Sequence, residues 1–251
     1  MEEQLKIDFE KLLEKSNFSK KNIEIKRKNF NNFIEKGFPN KREENWKFSD
    51  LNQIISKNIK NLSFYNDLSK PNKIDQSTFI DGLEHNKLVF VNGRIEKIEF
   101  DYEEKNNIEI LDDLVLEKPN NVNNSLLFLN NAFVIKFFKL IIKKNYSLKK
   151  PLVIYNITNK DLVSKSINLK FDILLEENSS LKLIEFSNDK STTNFININY
   201  NFDVKKNSIL KNYKIDNNTN SNIKYYFNNI NQDTNSVSEI FLLSSGSEFI
   251  K

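Results

Sequence analysis

LEENSSLKLIEF (175–186), VKKNSILKNYKI (204–215) and DTNSVSEIFLL (233–243) superimpose on an Asn-Ser pair, at Asn178-Ser179, Asn207-Ser208 and Asn235-Ser236. The pairs stand 29 and 28 residues apart. A near-constant period of that size is what the stacked coils of a solenoid produce, because each coil covers an apolar face that its neighbour cannot bury alone. The repeat by itself also admits an antiparallel sandwich whose turns share an Asn-Ser composition.

Between these turns the pattern is that of strands. In INLKFDILL (167–175), Ile167, Leu169, Phe171, Ile173 and Leu175 alternate with Asn168, Lys170 and Asp172, and INYNFDV (198–204) repeats the pattern with Ile198, Tyr200, Phe202 and Val204. A period of two predicts one buried and one wet face. Upstream, LVFVNGRIEKI (88–98) sets Asn92-Gly93 between two apolar-polar runs, a hairpin signal because both turn positions need positive φ. Residues 57–80 read as a connection, 99–125 as polar and irregular, and from 126 onward no helical stripe is found.

The first third reads as helix. Leu5, Phe9, Leu12 and Leu13 form one stripe; Ile23, Arg27, Phe30, Phe33 and Ile34 form a second, ended by Gly37. Asn40 and Glu43 have the spacing of a capping box for a third helix, with Trp46, Leu51, Ile54 and Ile55 turned to the body. The divisions expected are a helical region over 1–62, a connecting segment with the hairpin over 63–130, and a β-helix core over 131–251.

Composition narrows the function classes. The 251 residues include no cysteine and one histidine, so disulfides, thiolate metal sites and cysteine nucleophiles have no residues to use. The opening MEEQLKIDFEKLLEK is charged throughout, unlike a secretory signal, and the longest apolar run, AFVIKFFKLII (132–142), carries two lysines and is too short to span a bilayer. A cytoplasmic protein without a membrane partner is expected. Net charge is +4, with lysines spread along the whole chain and arginine confined to Arg27, Arg42 and Arg94, which argues against a nucleic-acid partner.

Candidate chemistry is sparse. His85 stands in polar DGLEHNKL without a serine or carboxylate at a suggestive spacing, and reads as a solvated surface histidine. The adjacent acids Glu43-Glu44, Asp112-Asp113 and Glu176-Glu177 read as solvated turns, since neighbours on a strand point to opposite faces. The four glycines stand in no phosphate-cradling motif, which predicts that the chain binds no ATP itself. Phe137-Phe138 and Tyr225-Tyr226-Phe227 read as core with one exposed ring.

GFPNKREENWKFSDL (37–51) resembles the N-terminal signature of the SufD family, through Gly37, Phe38, Pro39, Glu44, Trp46, Lys47, Phe48, Ser49, Asp50 and Leu51. LVFVNGRI (88–95) resembles the family's strand around Asn92 and Gly93; FLNNAF (128–133) resembles its Leu-Asn-x-Ala-Phe element through Asn130, Ala132 and Phe133. KPLVIYNIT (150–158) and LEENSSLKLIEF are similar to the start and first coil of its β-helix. The resemblance implies a mostly β fold with N-terminal helices: a right-handed parallel β-helix core preceded by a small α-helical region. It also implies a non-catalytic scaffold subunit of an iron–sulfur cluster assembly complex, partnered by a SufB-like paralogue and a SufC-like ABC ATPase. On this reading the chain binds no cofactor alone, and cluster and ATP belong to the complex. Absence of cysteine favours the SufD side over SufB. Compared with the family the chain stops early, at SSGSEFIK (244–251), so that cluster-ligating and ATPase-contacting positions have no counterpart and a truncated, self-associating product is an expectation. The alternatives are a β-solenoid carbohydrate-active protein, or an inactive fragment of a SufD-like subunit.

Overall fold

The computed structural model describes residues 2–59, 61–64, 74, 78–111, 123–189, 193–217 and 222–251. Three helices lead: α1 (Glu2–Lys15), α2 (Lys20–Lys36) and α3 (Leu51–Asn58). Strands β1 (Ser63–Phe64), β2 (Asn86–Val91), β3 (Arg94–Glu99) and β4 (Ile108–Leu111) follow, then α4 (Ser125–Phe133). The remainder is strand: β5 (Phe138–Ile142), β6 (Leu152–Thr158), β7 (Lys165–Leu175), β8 (Ser180–Asp189), β9 (Phe195–Val204), β10 (Ile209–Asn217), β11 (Ile223–Gln232), β12 (Val237–Ser245) and β13 (Phe249–Ile250).

The strands from β5 onward wind in coils, odd-numbered strands in one sheet and even-numbered strands in the other. The front sheet runs β13-β11-β9-β7-β5-β4 and the back sheet β12-β10-β8-β6-β2-β3. Pairing between successive coils is parallel throughout, as between Leu169 and Ile198 or Ile184 and Tyr213. The sandwich alternative is therefore excluded, and the core is a parallel β-solenoid of four coils (β5–β6, β7–β8, β9–β10 and β11–β12) leading into β13. Among the described residues antiparallel pairs occur only at the start, where β2 pairs β3 through the expected hairpin and β4 pairs β5. Asn92 and Gly93 both adopt positive φ, 51° and 83°.

The Asn-Ser register has a local cause. Asn178, Asn207 and Asn235 occupy the left-handed region at φ 60°, 59° and 57°, a conformation that asparagine tolerates better than other side-chain-bearing residues. A fourth rung, Asn145 at φ 61°, carries no Asn-Ser pair and escaped the sequence alignment. The rungs hydrogen-bond in file: Asn178 Nδ2 donates to Asn145 Oδ1 at 2.8 Å and Asn207 Nδ2 to Asn178 Oδ1 at 2.9 Å. Inside, like stacks on like, with Leu140, Ile173 and Phe202 in one row and Phe171 flat on Tyr200 at 4.7 Å.

The expected wet face of the front sheet is partly dry. Asn168, Lys170, Asn197 and Asn199 are buried although they alternate with the lumen residues, because α4 lies over β7 and β9. Asn130 Nδ2 donates to the carbonyls of Leu169 and Asn197, on two successive coils, at 3.0 and 2.9 Å. In return Asn197 Nδ2 donates to the Leu126 carbonyl at 2.8 Å. α4 itself corrects the expectation of strands alone after 126. All nine of its residues are buried, so no polar stripe marks it as a helix, and it crosses the 130/131 border drawn from sequence. Likewise β2, placed in the connecting segment, pairs parallel with β6 as part of the back sheet.

The front helices need two further corrections. Arg27 is exposed and forked onto Glu10 at 2.7 and 3.0 Å, while Ile25, Lys26, Phe30 and Phe33 form the buried stripe. Asn40 and Glu43 cap no helix: they form a turn with Asn40 Oδ1 accepting from the Arg42 amide, and α3 starts later, capped by Asp50, which accepts from the Gln53 amide at 2.9 Å. Among the described residues no helix is long and apolar enough to cross a membrane.

Candidate protein-docking face

The residues singled out by motif build the scaffold and do not converge on one chemical centre. Gly37 closes α2 at φ 72°, and the Pro39 carbonyl accepts from the Leu51 amide at 3.0 Å. Glu44 opens a short helical turn; the Ser49 amide closes it onto the Trp46 carbonyl at 2.8 Å. Trp46 is buried and stacks on Tyr225 of β11 and Phe249 of β13, at 5.9 and 6.1 Å. Leu51 is fully buried, and Lys47 lies beside the ring of Phe48, which is itself 90% exposed. Asn92 exchanges hydrogen bonds with Asn159 at 2.7 and 2.9 Å, and a side chain at Gly93 would meet Leu169 at 3.2 Å. Ala132 and Phe133 are buried, Phe133 stacked on Phe64 at 3.8 Å.

His85 overturns its sequence reading. It is 4% exposed, with Nδ1 at 2.6 Å from the Leu83 carbonyl and Nε2 at 2.7 Å from the Tyr155 hydroxyl. A carbonyl only accepts, so Nδ1 carries the proton, Nε2 accepts from Tyr155, and the Tyr155 oxygen is left to accept from the Ile80 amide at 3.0 Å. Burial lowers the histidine's pKa and keeps the ring neutral.

The acid pairs sit on turns as expected, Glu177 paired with Lys144 and Glu176 accepting from the Lys144 amide; Asp112-Asp113 lies outside the described residues. Phe137 and Phe138 are both buried and none of Tyr225, Tyr226 and Phe227 is exposed, so the one exposed ring expected of these runs is not found. Tyr225 and Phe227 pack under the N-terminal motif while Tyr226 packs on the lumen cluster, the expected alternation. Among the described residues no three side chains gather as a metal site.

Ionic chemistry is instead inside the solenoid. Lys224 reaches Asp189 at 2.6 Å and Asp216 at 2.8 Å, and Lys214 reaches Glu185 at 2.6 Å, all five side chains buried. Burial raises the carboxyl pKa of Asp216 against the pull of Lys224. Every one of these charges has an opposite partner, which suits a structural bracing role.

What the fold leaves available lies on the outer face of the back sheet. Rows run across its strands from coil to coil: Ile184 to Tyr213 to Phe241, and Phe186 to Ile215 to Leu243. Exposure climbs along them, from partly buried on β8 to 36% at Tyr213, 54% at Phe241 and 69% at Leu243. Tyr213 and Phe241 stack at 5.3 Å and 8°, forming a flat aromatic shelf, with the Lys211–Glu239 pair beside it at 3.1 Å. Contiguous exposed apolar patches are the kind of surface on which proteins commonly dock. Sequence reading missed it because the two-faced pattern was assumed; the signal present was IFLL (240–243), apolar on consecutive positions and therefore on both faces. Comparison with protein-family models and with curated proteins finds no match to this chain.

Proposed function

We propose that this chain is a non-catalytic scaffold subunit that works by holding partner proteins on the back sheet of its solenoid. The exposed Tyr213–Phe241 shelf with Leu243 carries this reading, because it is an apolar surface that none of the described residues covers. The order of elements, helices and then parallel coils, supports the resemblance to SufD. On that resemblance the partners are a SufB-like paralogue and a SufC-like ABC ATPase, and the pathway is cytoplasmic iron–sulfur cluster assembly. The chain's own part is then positional: a rigid stack presents the face, while cluster and nucleotide chemistry reside on the partners.

Co-expression with SufB- and SufC-like proteins from the same source, followed by affinity capture on this chain, tests the assignment. Retention of the SufB-like protein through a high-salt wash is the expected result. Recovery of the chain free of both partners would remove the iron–sulfur assignment.

A further inference from the structure

The outer face of the back sheet is covered where the solenoid begins, and the covering segment shows what the open part can take. Thr78–His85 lies as a strap over β2 and β6, where Phe79 meets Tyr155 edge-on at 4.9 Å and Ile80 packs on the cluster of Val89, Val91, Val153, Tyr155 and Ile157. Lys87 and Lys97 flank the Phe79 ring at 5.9 and 5.7 Å. The strap is fastened by a tyrosine hydroxyl, which accepts a hydrogen bond from the Ile80 amide and donates one to His85 Nε2. Its occupancy is thus that of a short, turned segment presenting one aromatic and one branched aliphatic side chain to a sheet, with the backbone held by a side-chain hydroxyl.

The same face continues without a break. Tyr155 pairs across to Phe186, their rings 5.8 Å apart, and Phe186 to Ile215 and Leu243. One row over, Tyr213 stands with its ring flat on Phe241, so that two coils beyond the strap the surface again offers an aromatic floor and a tyrosine hydroxyl. We infer that this open stretch binds a short polypeptide segment of a partner protein, an aromatic residue followed by a branched aliphatic one, packed on the sheet as Phe79 and Ile80 are. The inference rests on reading this face as a protein-docking surface, and names the form of its ligand.

The test uses the whole chain and a fluorescein-labelled peptide, Thr78–His85 (TFIDGLEH), titrated by fluorescence anisotropy. Saturable binding is expected, weakened roughly ten-fold or more by the double substitution Phe241→Ser with Leu243→Ser, and lost with a peptide bearing Phe79→Ser. Both substituted positions are exposed, and an unchanged circular-dichroism melt verifies the fold; Tyr213→Ser serves as a second variant if the first does not fold. Absence of binding overturns the inference. So does binding undiminished by the variants, since the peptide would then only be exchanging with the chain's own strap. Sedimentation of the wild-type chain as a dimer that the double variant dissociates would assign the face to a second copy instead, and also overturns it. No SufB-like protein enters this experiment, so failed capture of that partner and failed peptide binding are separate results.

Discussion

His85 and Tyr155 show how one buried polar contact sets a pH dependence. The ring is neutral in the fold, its Nε2 lone pair used by Tyr155 and its pKa below the ordinary value of 6.5 because burial penalises the cation. In the unfolded chain the histidine takes up its proton as pH falls through about 6.5, while the folded chain resists until lower pH. The unfolded state then binds more protons, so this contribution to stability is present above about pH 6.5 and is lost as pH falls toward the folded pKa. Urea denaturation of the wild type and His85→Gln at pH 8 and pH 5 should show a smaller loss of stability in the variant; equal losses would contradict the neutral, buried ring. The left-handed asparagines make a second residue-scale case. Asn178 both donates to Asn145 and accepts from Asn207, at φ 60°. Asn178→Ala should cost about 1–2 kcal/mol, chiefly the left-handed backbone penalty of an alanine, whereas Asn178→Gly should cost less because glycine bears no such penalty. Thermal melts that rank the two in the opposite order would show that the backbone conformation is not what the asparagine supplies.

Among the elements, α4 decides how the front of the molecule meets the solenoid. Asn130 bridges two coils through the carbonyls of Leu169 and Asn197, and the buried Lys26 caps the helix by donating to the carbonyls of Asn131, Ala132 and Val134. Burial and the nearby Lys170 push the Lys26 pKa down to about 7. Asn130→Ala leaves a gap and removes both bridges, and is expected to cost about 2 kcal/mol, with faster amide exchange in α4 than in β11; unchanged exchange in α4 would show that the helix does not depend on the Asn130 bridges. These contacts also mark how far the sequence could be read. β7 and β9 were legible because alternation at Ile167–Leu175 and Ile198–Val204 survives burial on one side. The turns were legible because asparagine is itself the signal for the backbone they adopt. α4 was not, since SLLFLNNAF is apolar or amide at every position and burial on all sides erases the 3.6-residue period. The exposed apolar face of the back sheet was not, because a sheet that is apolar outside as well as inside looks in sequence like a fully buried strand. The strap was missed through His85, whose polar neighbours Asp81, Glu84 and Asn86 suggested solvent while the fold turned the ring inward.

At the scale of the whole molecule, the solenoid must resist slipping of one coil against the next, and its apolar lumen rows supply little register information because Leu, Ile and Phe are nearly interchangeable along them. Charges inside the lumen do supply it. Lys224 on β11 of the front sheet reaches across to Asp189 on β8 and Asp216 on β10 of the back sheet, so one side chain ties three coils together. Removing the cation leaves two buried carboxylates facing each other, and Lys224→Met is expected to destabilise by about 3–5 kcal/mol. The Glu185–Lys214 pair joins only neighbouring coils, and replacing both partners by Leu and Met together removes two charges without orphaning either. That double variant still leaves the buried Asn212 amide, whose Nδ2 donates to Glu185 Oε1 at 2.7 Å, without its acceptor, and should cost about 1–3 kcal/mol, less than Lys224→Met. Denaturant melts of the two variants separate bracing across three coils from a merely tolerated ion pair. If Lys224→Met unfolds no earlier than the Glu185 and Lys214 double variant, the triad does not set the register, and the regularity of the stack must come from the asparagine turns alone.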